Sequence, residues 1–189
     1  MASVRGAHHE ATDEQSQWMA RSQDGDRFAY AELVTAFQDR LYNSILRIVG
    51  DRDEARDLTQ DTFVRAMEKI EMFRGECAPY TWFFKIAVNL SISHLRKLQR
   101  RRTFTLDQAA SLAKKPADEV VRNEEQQQLL QALGRLDSEY RAILVMRDVE
   151  DCDYQQMADI LGLPLGTLKS RLFRARLALH DELKNYMKE

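Results

Sequence analysis

The chain has 189 residues, a formal net charge of -2, 31% charged residues and only 7 Gly and 3 Pro, which suits one ordinary domain or two small ones and favours amphipathic helices over turn-rich sheet. No apolar run approaches the roughly 18 residues of a membrane span, and the opening MASVRGAHHEATDEQSQW lacks the apolar core of a signal peptide, so a cytoplasmic protein is expected. Cys77 and Cys152 are too few and too far apart for a disulfide framework or a four-ligand zinc site, and the adjacent His8 and His9 cannot close a metal site alone; no metal or cofactor is expected.

In chain order, residues 1–14 are polar and read as a disordered terminus. Residues 15–102 are helical in period and rich in aromatics, the pattern of a first domain. Over 103–123, TFTLDQAASLAKKPADEVVRN, the apolar period lapses and Pro116 interrupts, which reads as a flexible linker with at most short helices. From 124 to 189 the period returns as a second compact domain. The fold class is therefore all-α, with two small helical domains on a tether.

Within the first domain, RDEARDLTQDTFVRAMEKIEMF places Asp57, Gln60 and Asp61 at i, i+3 and i+4, on one exposed ridge, with Phe63, Ala66, Met67 and Ile70 turned to the opposite side. Alone, such a ridge is equally an ordinary acidic surface. The next stretch, FRGECAPYTWFFKIAVNLSISHLRKLQRRR, aligns Lys85, Asn89, Ser93, Arg96 and Arg100 within about 80° on a helix. The stripe ends in a basic run containing Arg96, Lys97 and Arg100, and the loop before the helix carries Phe73 and Arg74, with Tyr80 and Trp82 beyond. Charge that tracks a backbone beside aromatic platforms suits single-stranded nucleic acid. The aromatics serve equally as core, the role that helical spacing favours for Trp82 and Phe83.

In the second domain, DYQQMADILGLPLGTLKSRLFRAR starts with Asp153 and Gln156 in capping-box spacing, turns at Gly162, and restarts near Pro164 or Leu165. Leu168, Leu172 and Ala175 form the buried stripe of the second helix. This is helix-turn-helix punctuation. It leaves Lys169, Ser170, Phe173 and Arg174 outward, where a recognition helix reads base edges, with Arg176 farther along toward phosphates and Arg171 completing a stretch free of carboxylates. The plainer alternatives are a solvated basic face and, for Phe173, a place in the core.

These motifs resemble those of bacterial extracytoplasmic-function (ECF) sigma factors of the envelope-stress, sigma-E-like type. DLTQDTF is similar to the family's polymerase-binding motif, FRGECAPYTWFFKIAVN to its minus-ten loop and helix, and GTLKSRLFRAR to its minus-thirty-five recognition helix, in family order. The resemblance implies two domains, sigma regions 2 and 4, docked on the beta-prime clamp helices and beta flap of core RNA polymerase, with Asp57, Gln60 and Asp61 at the clamp. It implies that Phe73, Arg74, Asn89, Ser93, Arg96, Lys97 and Arg100 serve the minus-ten element, one base being flipped toward Phe73 and Asn89. Lys169, Ser170, Arg171, Phe173, Arg174 and Arg176 would serve the minus-thirty-five element. It further implies promoter opening by binding energy and an anti-sigma factor, often membrane-anchored. The chain departs from many relatives in carrying Val88 and Ser93 around Asn89. Two other classes compete: a stand-alone helix-turn-helix regulator, which needs no DLTQD ridge, and an enzyme, for which the sequence carries no recognisable catalytic signature. His94 reads as a surface or DNA-facing residue.

Overall fold

Eight α-helices carry the described residues of the computed structural model, 3–105 and 124–186. The first four are α1 (Ser3–Gln23), α2 (Arg27–Val49), α3 (Arg52–Glu68) and α4 (Pro79–Thr105); α5 (Glu124–Arg135), α6 (Ser138–Leu144), α7 (Tyr154–Leu161) and α8 (Leu165–Tyr186) follow. Local chemistry sets most boundaries. Asp26 opens α2 by accepting from the Phe28 and Ala29 amides, while Gly50, at φ 79°, closes it. Asp51 caps α3 through the Asp53 and Glu54 amides, with those two acids in the first turn, where the helix dipole favours negative charge.

Helices α1 to α4 bundle around an aromatic core. Phe83 is fully buried and meets Phe37 at 5.4 Å and Phe63 at 5.7 Å between ring centroids. Tilted and edge-on contacts of this kind add about 0.5–1.5 kcal/mol each beyond burial. The buried hydroxyls of Thr59 and Thr62 donate to the Ala55 and Leu58 carbonyls at 2.7 Å, so α3 buries polar residues without orphaning them.

In the second domain α8 packs on α5, α6 and α7. The helix-turn-helix is built as its sequence spells it. Asp153 and Gln156 form both bonds of a capping box, Gly162 stands at φ 63°, and α8 begins at Leu165. Leu168, Leu172 and Ala175 are buried. Between α6 and α7 the helix widens into a π-turn, Val145–Val149, and the chain then passes through Asp151 at φ 52° to the buried Cys152.

The structure departs from the sequence reading at four points. First, α1 is helical from Ser3, reaching back into the stretch read as disordered; that stretch holds no Pro, and Gly6 is its only strongly unfavourable helix residue. Second, α4 continues past residue 102 to Thr105, because RRRTFT contains no breaker; the rest of the linker read over 103–123 lies outside the described residues. Third, the two domains are docked. Helix α2 contacts α5 and α6, and α4 contacts α6 and α7. Fourth, Met67 is 48% exposed instead of core, since the exposed face of α3 is wider than the acidic ridge.

The turn gives a direct stability test. A Cβ on Gly162 meets nothing within 4 Å, so only backbone strain opposes it. Gly162→Ala is expected to destabilise the chain by about 1–2 kcal/mol, and Gly162→Asn by less, in urea unfolding followed by circular dichroism. Equal stability of Gly162→Ala and wild type would contradict the left-handed geometry.

Candidate nucleic-acid interface

Asp57, Gln60 and Asp61 are all exposed on α3, opposite the buried Leu58, Thr62 and Phe63. The ridge continues into Val64, which is 57% exposed. An apolar patch framed by charge is the usual anatomy of a protein interface, and the sequence pattern marks only its acidic part.

The segment after α3 closes in a single 3-10 turn, Ile70–Met72, and releases Phe73 into an extended conformation. Gln23, the last residue of α1, reaches across and donates from Nε2 to the Ile70 carbonyl at 3.0 Å and to the Phe73 carbonyl at 2.9 Å. Those bonds pin the start of the loop. Nothing local in the sequence marks Gln23 for this role. Phe73 meets Trp82 edge-on at 5.7 Å, and both are partly buried. Trp82 thus divides its surface between Phe83, at 5.4 Å, and the loop. Arg74 is exposed beside Gly75, whose φ is 73°.

Along α4, Lys85, Asn89, Ser93, Arg96, Lys97 and Arg100 are all exposed, while Val88 and Ser91 are buried. Asn89 follows Trp82 by seven residues, two helical turns, so the aromatic pair stands at the head of the polar stripe, about 10 Å from Asn89 along the axis. Asn89 donates one amide hydrogen to the Lys85 carbonyl at 2.9 Å, and its amide keeps a further donor and its acceptor. The burial of Val88 places it in the packing of α4 and away from the stripe. His94, read as a surface or DNA-facing residue, is instead partly buried, with Nε2 2.9 Å from Glu54 Oε2 on α3. It lies one residue off the stripe, and the helical period turns it inward.

On α8, Lys169, Ser170, Arg174 and Arg176 are exposed, and Phe173 is 70% exposed, which removes the core alternative for that ring. The cations differ in their company. Arg171 is half-buried and pairs with Glu139 on α6. Arg176 donates to Asp148 at 2.7 Å, a bond that raises its pKa. Lys169 lies 5.8 Å from the Tyr154 ring centroid. Arg174, among the described residues, has no ion-pair partner and points from the face opposite Leu172. The basic stretch thus has one inward-paired member, Arg171, and an outward face that carries Lys169, Ser170, Phe173 and Arg174.

Two further features bound the chemistry. Burial pushes the Cys152 thiol up to about 11, with the Glu150 charge adding to the effect, so this cysteine is a packed apolar group and not a nucleophile. Among the described residues no cluster of metal-ligating side chains occurs, and no helix is long and apolar enough to cross a membrane.

Comparison with known proteins agrees with this geometry. Residues 33–101 match the family described as Sigma-70 region 2, and residues 126–179 match Sigma-70, region 4. The chain is 33% identical to the RNA polymerase sigma-H factor of Pseudomonas aeruginosa, over 94% of this chain and 98% of that protein. It is 31% identical to the ECF RNA polymerase sigma-E factor of Haemophilus influenzae, over 88% and 94% respectively. Among solved structures, the sigma factor RpoE of Bartonella quintana, in complex with the anti-sigma factor NepR, aligns with TM-score 0.65 and 28% identity, covering 82% of this chain and 96% of that one. CnrH in complex with the cytosolic domain of CnrY shares the fold, with TM-score 0.66, 24% identity and coverage of 91% and 98%. Matches that span both domains make the chain a sigma factor and not a stand-alone helix-turn-helix regulator. The chain belongs to the ECF group of the sigma-70 family of RNA polymerase sigma factors.

Proposed function

We propose that the chain is an alternative sigma factor that binds core RNA polymerase through the α3 ridge, reads the minus-ten element with the Phe73 loop and α4, and reads the minus-thirty-five element with α8. One observation carries this reading: three surfaces of different chemistry, an acidic ridge with an apolar edge, a polar stripe headed by an aromatic pair, and a basic helix face, are all exposed on one chain. Asp57, Gln60 and Asp61 offer charge to a basic clamp on the polymerase, setting partner choice and encounter rate. Phe73 and Trp82 provide a face on which an extruded base stacks, Asn89 reads its edge, and Arg96, Lys97 and Arg100 hold phosphates. Promoter opening then draws on binding energy, with no bond made or broken by the protein.

The same reading gives it an anti-sigma partner, by analogy with relatives whose solved structures are complexes of that kind. It also gives it a place in the cytoplasm, at the membrane when such a partner is anchored there, and a response to envelope or other extracytoplasmic stress.

Two predictions follow from the exposure pattern. Asp57→Arg combined with Asp61→Arg is expected to weaken binding to core polymerase at least about tenfold in a competition assay, by placing like charges against the clamp. Because both positions are exposed, circular dichroism should not change. Normal competition would remove α3 as the docking ridge.

On α8, Arg174→Ala is expected to cost about 1–3 kcal/mol of discrimination at one position of the minus-thirty-five element, the amount carried by one bidentate base contact. Arg176→Ala should weaken all sequences alike and lower the salt slope by about one. Its pair with Asp148 is half exposed on both sides, so losing it costs the fold about 0–1 kcal/mol. Transcription from promoters altered one base at a time separates the two. A uniform loss for Arg174→Ala would mean that α8 supplies charge only.

A further inference from the structure

The docked domains are held by polar contacts that the function above does not use. Arg141 of α6 donates from Nη1 to the Ile48 carbonyl of α2 at 2.7 Å. Glu150, just after the π-turn, has a side chain only 3% exposed; its carboxylate accepts from Arg40 on α2, at 3.0 Å from Nε and 2.7 Å from Nη2, and from the Ser44 hydroxyl. Arg40 in turn lies over the Tyr80 ring, 3.9 Å from its centroid, at the foot of α4. A third contact joins Arg96 Nη2 of α4 to Glu139 Oε1 of α6 at 2.5 Å, and Glu139 also accepts from Arg171 of α8.

A carboxylate as buried as Glu150 is tolerated only with its partners in place, and removing one leaves an uncompensated charge. Its site is shaped for it, with a forked guanidinium, a hydroxyl and an aromatic wall behind the cation. The contact is therefore specific in orientation and is not a loose collision of two domains. Its consequence falls on Glu139, which sits where a phosphate would sit against Arg96.

We propose that the chain is self-latched: with no partner bound, Glu150 on Arg40 and Ser44 holds the second domain against the first, and Glu139 thereby occupies Arg96 and withholds it from DNA. The DNA half of this inference rests on the role given to Arg96 above. Opening breaks the Glu139–Arg96 bond but leaves Glu139 with Arg171, which belongs to its own domain. The latch thus acts on the minus-ten surface. Binding of polymerase or promoter must supply the free energy of opening, which lowers the apparent DNA affinity of the free chain by the fraction that is closed.

The test uses the full chain in three forms: Arg40→Glu, Glu150→Arg, and both together, which swaps the pair. Small-angle X-ray scattering should give a larger radius of gyration for each single variant than for wild type, and a return to the wild-type value for the swap. The swap also guards against simple unfolding, which it would not repair. Anisotropy of a fluorescein-labelled duplex at low salt should rise at several-fold lower protein concentration for both single variants. The signature is Arg40→Glu, which removes a cation and yet is expected to bind DNA more tightly. Single variants as compact as wild type would overturn the latch. Open variants without any gain in DNA affinity would overturn the withholding of Arg96, and Arg96→Ala in the open background then tells why. If that change weakens binding, Arg96 contacts DNA but was never withheld; if it does not, the DNA role of Arg96 itself is wrong.

Discussion

Arg141 is the contact on which the arrangement of the two domains turns. Its guanidinium is buried, keeps its charge, and has no carboxylate bound to it among the described residues. Burial lowers its pKa, and Asp137 nearby partly opposes that shift. What compensates the buried cation is a ring of carbonyls: Ile48 at the end of α2, and Gly134 and Leu136 where α5 turns into α6, at 2.8 and 3.2 Å. These are helix C-terminal carbonyls, groups that lack partners within their helices and carry the negative end of the dipole. One side chain thus caps two helices from two domains. The end of α2 and the α5–α6 turn are thereby fixed together.

The first domain solves a different problem, which is how to hold a loop in place while leaving it open. Phe83 anchors α4 in the aromatic core, Trp82 beside it reaches outward to Phe73, and Gln23 clamps the backbone on which Phe73 rides. A loop without such ties would lose more conformational entropy on meeting a partner. Tying the loop through its backbone carbonyls removes part of that loss beforehand and leaves the Phe73 side chain only partly buried.

What was legible in the sequence was what is local. The capping box at Asp153, the left-handed turn at Gly162, and the stripe from Lys85 to Arg100 depend on spacings of a few residues, so the pattern and the structure coincide. The ridge of Asp57, Gln60 and Asp61 was legible for the same reason, although its apolar margin at Val64 and Met67 was not, because a half-exposed apolar residue on a helix carries the same signal as a core one. The docking of the domains was invisible. Ser44 meets Glu150 and Arg141 meets Ile48 across 106 and 93 residues of sequence, and nothing local in DSEYRAILVMRDVEDCD marks Glu150 for burial. Arg171 was grouped with its basic neighbours because charge runs are read along the chain, whereas the helical period turns that one side chain toward α6.

Charge ties these features together. A DNA-binding chain with net charge -2 cannot rely on a general positive field, and the structure shows where its cations are spent: Arg171 and Arg96 on Glu139, Arg176 on Asp148, Arg40 on Glu150. Matching cations with the protein's own acids lowers attraction to bulk DNA, which grows with every phosphate a free cation neutralises. The pair exposed on both sides, Arg176 with Asp148, contributes little to the fold, whereas the buried Glu150 needs its Arg40. Arg174 has no ion-pair partner among the described residues and stays exposed on the face opposite Leu172. The arrangement therefore separates two kinds of cation, those matched by the chain's own acids and those, like Arg174, that stand exposed without one among the described residues.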